Sequence, residues 1–220
     1  MRHTQPTTRT IATTALAAVA VFPTIVIALN LAQRSDGYHA SRQAISELAL
    51  GRAGWLMAIA FCGLALGTYL LAVLIRRTTA KAVVAPALLT LAAALSVVSA
   101  VFHTDLGTTT TVHGRIHNDA GVVTFLSLLV VMGISSYRFR TEPAWRSFAV
   151  PTLAFTVVGT VAFFLVPTLG DQHFGIAQRL LVGTFVGWML TATAHARHIG
   201  EPTAERADAT SRHADASAGA

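Results

Sequence analysis

Charge is scarce in this chain: Asp, Glu, Lys and Arg make up 12% of its residues against 53% that are hydrophobic, and its mean hydropathy is +0.58. An ordinary soluble domain, about a quarter charged, is excluded. Cysteine is almost absent. The single Cys62 lies inside an apolar run, so there is no disulfide framework, cysteine usage gives no sign of a redox compartment, and the thiol reads as a small apolar core residue. Zinc-finger spacing, a Gly-rich phosphate loop after a strand and an aromatic-interleaved basic patch are also missing, which argues against nucleic acid as a partner. The strict apolar/polar alternation that a membrane barrel needs does not occur either.

Long apolar runs are what the chain does have. A hydrocarbon core about 30 Å thick takes roughly 20 apolar residues per helix, and six such runs fit: Ile11 to Leu31, Gly54 to Ile75, Ala82 to Phe102, Asp119 to Ser136, Ser147 to Pro167 and Gln178 to Ile199. Backbone groups in lipid must be paired within the segment. The expected fold is therefore an all-α polytopic membrane bundle of six transmembrane helices, spanning 11–199 after a short segment, 1–10. The first run follows Arg2 and Arg9 as a secretory signal would, but it is longer than the usual h-region and ends in Leu29-Asn30-Leu31-Ala32-Gln33 without a clear cleavage site, so it reads as a helix that stays. Residues 200–220 hold almost nothing to bury and read as a disordered tail.

Lys and Arg set the orientation. They gather at the N-terminus (Arg2, Arg9), the second loop (Arg76, Arg77, Lys81), the fourth loop (Arg138, Arg140, Arg146) and the tail (Arg197, Arg206, Arg212). This set outnumbers that of the other three loops (Arg34, Arg42, Arg52, Arg115, Arg179) by about two to one, so both termini are expected to be cytoplasmic, in a cell membrane. A net charge of +6 then describes a basic inner rim that meets anionic membrane lipids. Trp145, in the fourth loop, reads as an interfacial anchor.

Acids and imidazoles collect in the first, third and fifth loops, with Ser46: Glu47, His103, Asp105, His113, His117, Asp119, Asp171 and His173. Ionisable groups at helix ends are costly in a bilayer unless they pair or line a wet cavity, which makes them functional candidates. The four-residue spacing of His113 and His117 would put both on one face if the fourth helix began a turn early, and His103 or Asp105 could complete a three-ligand zinc site open to water. The competing reading is structural: His117, Asp119 and Arg179 form a network fixing helix ends, with Asp119 complementing the dipole of the fourth helix. His195 and His198 do the same at the end of the sixth. A faint echo between His113-Gly-Arg-Ile-His-Asn-Asp119 and His173-Phe-Gly-Ile-Ala-Gln-Arg179 places Asp119 and Arg179 in equivalent positions suited to a salt bridge across the bundle.

Four segments together resemble domain-of-unknown-function family 998, a family of prokaryotic multi-pass membrane proteins. They are His39-Ala-Ser-Arg-Gln-Ala-Ile-Ser46-Glu47-Leu48-Ala-Leu-Gly51, Phe102-His-Thr-Asp105, His113-Gly-Arg-Ile-His117-Asn-Asp-Ala and Gly175-Ile-Ala-Gln-Arg179-Leu. The resemblance implies the multi-pass architecture and points to Ser46, Glu47, Asp105, His117 and Arg179. His103 stands where the resemblance leads one to expect Pro. A fainter likeness, through Ser99-x-x-x-His103, is to the ceramidase and progestin/adipoQ-receptor superfamily of membrane hydrolases. Those enzymes are similar in having further histidines on a last helix, but here His195 and His198 are three apart and expected at the opposite face.

Three functions are open. The first is a cavity lined by Ser46, Glu47, Asp105, His117, Asp119 and Arg179 that binds a small amphipathic or lipid-like molecule. The second is a zinc-dependent hydrolase with His103, His113 and His117 as ligands and Glu47 or Asp105 as base. The third is metal-free acid catalysis on an isoprenoid by Glu47 or Asp105 in an apolar pocket. Alternating-access transport lacks the matched broken helices it would need in one chain, although a homodimer could build such a site.

Overall fold

The computed structural model describes residues 7–106 and 110–199. Among them the chain is all-α, with six helices long and apolar enough to cross a membrane, so the protein is a multi-pass membrane protein. The helices are α1 (Thr8–Gln33), α2 (Leu56–Thr78), α3 (Val84–Val101), α4 (Val112–Arg138), α5 (Ala149–Thr168) and α6 (Gly170–Ile199). Most of segment 1–10 and the whole 200–220 tail lie outside the described residues.

Two helix starts differ from the apolar runs. α4 begins at Val112 instead of Asp119, because Thr111 caps it by accepting from the Gly114 N–H at 3.1 Å. α6 begins at Gly170 instead of Gln178, so the fifth loop shrinks to Leu169 and both Asp171 and His173 lie on the helix. The remaining boundaries agree to within a few residues.

Each helix packs against its neighbours in the chain and α6 closes on α1, giving a ring in the order α1 to α6. Close approach is achieved with small side chains, as membrane helix pairs require. A Cβ on Gly63 would stand 3.0 Å from the Ala18 carbonyl, and one on Gly67 2.4 Å from a Val19 methyl, so α1 lies directly along α2. The hydroxyls that face lipid or helix are mostly satisfied at home: Thr14, Thr24, Thr68, Thr90, Thr156 and Thr160 all donate to the carbonyl four residues earlier. In hydrocarbon that local bond removes most of the cost of a hydroxyl. Large apolar side chains such as Ile27, Leu31, Val157, Val161 and Phe164 are exposed, as a lipid-facing surface demands.

Because the helices alternate in direction, the connections sort to two ends. At the end where α1 starts and α6 finishes, Trp145 is fully buried, stacks on Phe139 and donates Nε1–H to the Thr78 hydroxyl. It is thus a core anchor, not an interfacial one. His195 stacks on Phe148 and bonds the Ala144 carbonyl at 2.8 Å, so it ties α6 to the α4–α5 connection. Cys62 is exposed on α2 and not in the core. Midway, Thr68 meets the Met189 sulfur across the ring at 3.3 Å and closes that half. Towards the other end the ring is open.

Candidate functional site

In that open half lies a cavity of about 550 Å³ to which all six helices contribute. Its apolar lining is Phe22 of α1, Phe61 and Leu64 of α2, Phe125 of α4, Phe163 and Val166 of α5, Leu181 and Val182 of α6. Its polar lining is Ser46, Glu47, Thr104, Asp105, His117, Asn118 and Gln178, with Ser96 and Ser99 of α3. Gly121 also lines it, and a methyl there would meet nothing within 4 Å. Thr124, which lines it too, is 9% exposed and its Oγ1 has no partner among the described residues. It is an exception to the satisfied hydroxyls elsewhere in the bundle.

Ser46 and Glu47 reach the cavity on a folded cap, residues 34–55, between α1 and α2. One half of the cap is held by Gln33, buried at the end of α1, whose Nε2 donates to the carbonyls of Leu48 (2.9 Å) and Arg52 (2.8 Å). The other half is clamped to the start of α6. Ile176 N–H donates to the Ser41 carbonyl, Ile45 N–H to Gln178 Oε1, and Gly175 lies so close that a Cβ would stand 2.4 Å from the Ala40 carbonyl and 2.6 Å from that of Gln43. Within the cap, a 3₁₀ turn over Ile45–Leu50 positions Glu47. Its Oε1 accepts from the Ala44 N–H at 2.9 Å and its Oε2 from Gln43 Nε2 at 3.0 Å.

Arg179 belongs to this clamp and not to the cavity lining. Its guanidinium donates to the carbonyls of Gln43 (2.8 Å) and Gly175 (3.0 Å), to Asn30 Oδ1 (3.3 Å) and to the Tyr38 hydroxyl. Tyr38 in turn donates to the Ala44 carbonyl at 2.7 Å. Burial pushes the Tyr38 phenol up, against the opposing pull of Arg179, so the ring stays a neutral donor. The expected bridge from Arg179 to Asp119 does not form: the Arg179 donors are spent on the cap, on Asn30 of α1 and on its own helix, and Asp119 is exposed on α4 outside the cavity.

His117 is buried, with Nδ1 2.8 Å from the Phe102 carbonyl at the end of α3. A carbonyl only accepts, so Nδ1 carries the proton. Asp105 sits over the start of α4, accepting from both the N–H and the hydroxyl of Thr111 at 2.7 Å. Those two bonds, the backbone one first, hold its carboxyl below the usual carboxylate range. A Cβ on Gly114 would stand 2.0 Å from the Asp105 carboxylate, so the Gly is what lets the acid reach the helix terminus.

The three histidines of the zinc reading do not gather. His103 is exposed, His113 is exposed with its ring against Phe102, and His117 is turned into the bundle. Among the described residues no three His, Cys, Asp or Glu side chains are grouped as a metal ion would need. The structure brings Ser46, Glu47, Asp105 and His117 to one cavity and leaves Asp119 and Arg179 outside it. Sequence reasoning missed Gln178, Asn118, Thr104 and Thr124 of the lining, and Gln33, Tyr38 and Gly175 of the cap. Gln178 was visible as a polar residue opening an apolar run, and Gln33 as one closing another; Thr104, Asn118 and Gly175 fall inside the segments that carry the resemblance without standing out there, and Tyr38 and Thr124 carry no sequence signal of their own.

Comparison with known proteins gives one family: its model, described as a protein of unknown function (DUF998), matches residues 15–195. No curated protein and no solved structure matches.

Proposed function

We propose, for a chain that belongs to the DUF998 family, that this integral membrane protein binds a small amphipathic or lipid-like molecule in the cavity beneath its cap. The carrying observation is one volume with an apolar floor and a polar mouth. About 550 Å³ walled by Phe22, Phe61, Phe125 and Phe163 and edged by Glu47, Asp105, His117 and Gln178 has the size and lining usual for a small-molecule site. An apolar tail fits the floor, and a hydrogen-bonding head fits the edge. The excess of Lys and Arg on the connections shared with the termini supports a cytoplasmic location for those and an extracytoplasmic mouth, in the cell membrane.

The test is an inventory of small molecules retained by the purified protein. Mass spectrometry of wild type should find an amphiphile at near-stoichiometric level. Gly121→Phe, which fills recessed space on the α4 wall, should reduce it about tenfold or more while the protein still purifies as a folded monodisperse species. Equal retention by both proteins, or none by wild type, would remove the proposal.

A further inference from the structure

The mouth of the cavity carries a charge pattern, and resting on its reading as a ligand site we infer that it selects a cationic single-chain amphiphile, an amine or quaternary ammonium, over an anionic one. Among the described residues its lining contains the carboxylates of Glu47 and Asp105 and no Lys or Arg. The cation next to it in sequence, Arg179, directs its donors to Gln43, Gly175, Asn30 and Tyr38 on the cap side.

Geometry leaves the acids able to receive a head group. An ionised carboxylate offers about four acceptor positions, whereas Glu47 uses one bond on each oxygen, to Ala44 and Gln43. Asp105 likewise has one on each, both from Thr111. An ammonium therefore finds vacant lone pairs, with the aromatic residues Phe61, which packs beside His117, and Phe174 in the same lining, residue types that favour a quaternary head. A carboxylate or phosphate head would be desolvated against like charge with no cation to pair it. A neutral alcohol should fall between.

The experiment titrates the full-length protein, in an uncharged maltoside detergent, with n-dodecylamine, n-dodecanol and n-dodecanoate, correcting for partition into empty micelles. The amine should bind about tenfold or more tightly than the carboxylate. Glu47→Gln, which keeps an acceptor for the Ala44 N–H, should close most of that ratio. Raising the salt should weaken the amine and leave the alcohol nearly unchanged, a measurement on wild type that stands even if the variant does not fold. If the alcohol binds but the carboxylate binds as tightly as the amine, or salt has no effect on the amine, the charge selection is wrong and the cavity reading survives. If none of the three binds, both are wrong.

Discussion

Asp105 and Glu47 are both acids at one mouth, and their bonding gives them different work. Glu47 is held by a side-chain amide and one N–H within the cap, while Asp105 fastens α3's exit to the first turn of α4 through Thr111. A negative charge at a helix N-terminus is favourable in addition. Because the Asp105 carboxyl is held below the usual carboxylate range, its contribution to stability is present above the ordinary value and is lost as pH falls through its own, lower one. Asp105→Asn keeps an acceptor for Thr111 but not the charge. Its Tm should lie below that of wild type at neutral pH, and the gap should narrow as pH drops below about 4. A gap that persists unchanged in acid would mean that the charge is irrelevant and only shape matters. His117 offers the complementary case, since its ring closes the end of α3 by donating to Phe102; the expected network with Asp119 and Arg179 does not form, because Arg179 bonds Gln43, Gly175, Asn30 and Tyr38 instead.

At the scale of elements, the cap behaves as a part bolted on by α6. Gly175 permits the contact, while Arg179 and Gln178 make it. Gly175→Ala drives a methyl into two backbone carbonyls that cannot move independently, and Arg179→Gln removes a charged multi-donor group whose bonds contribute about 1.5–3 kcal/mol each. Either change should loosen the cap without unfolding the ring. Limited trypsin digestion reads this directly, for Arg34, Arg42 and Arg52 are exposed on the cap: cutting there should rise several-fold in both variants while the helices stay protected. If cutting rises equally at Arg140 in the α4–α5 connection, the effect is global and the clamp idea fails. The six spans were legible in the sequence because each is a long apolar run, a signal that needs no knowledge of neighbours. The true starts of α4 and α6 were not, since their first turns carry His113, Arg115, His117, Asp171 and His173, polar residues that hydropathy scores as loop. The site was half legible for the same reason. Ser46, Glu47, Asp105 and His117 announce themselves as polar groups near span ends, but Arg179 lies as close to a span end and turns the other way. Three of its partners, the Gln43 carbonyl, the Asn30 amide oxygen and the Tyr38 phenol, lie more than a hundred positions earlier in the chain, and such long-range pairing leaves no mark in a sequence.

For the whole molecule, six spans put the start of α1 and the end of α6 at one end of the bundle, and the closed ring gives each end a different character. One end is sealed by the Phe139, Trp145, Phe148 and His195 rings; the other holds the capped cavity. Which of them faces the cytoplasm decides where a ligand is drawn from, so orientation is a functional question. The basic connections argue that the sealed end is cytoplasmic. At that end the Arg138 guanidinium donates to the Ala80 carbonyl and lies 3.8 Å from Glu142, which links the α2–α3 and α4–α5 connections. The lone cysteine makes this testable with little engineering. In a Cys62→Ser background, Ser35→Cys on the cap and Thr141→Cys in the α4–α5 connection both place a thiol at an exposed position. A membrane-impermeant maleimide applied to intact cells should label the first and spare the second, and both should label once the membrane is permeabilised. The reverse pattern would turn the molecule over, putting the mouth and its two acids in the cytoplasm; ligand capture from inside the cell would then be the hypothesis to pursue, with the cavity chemistry unchanged.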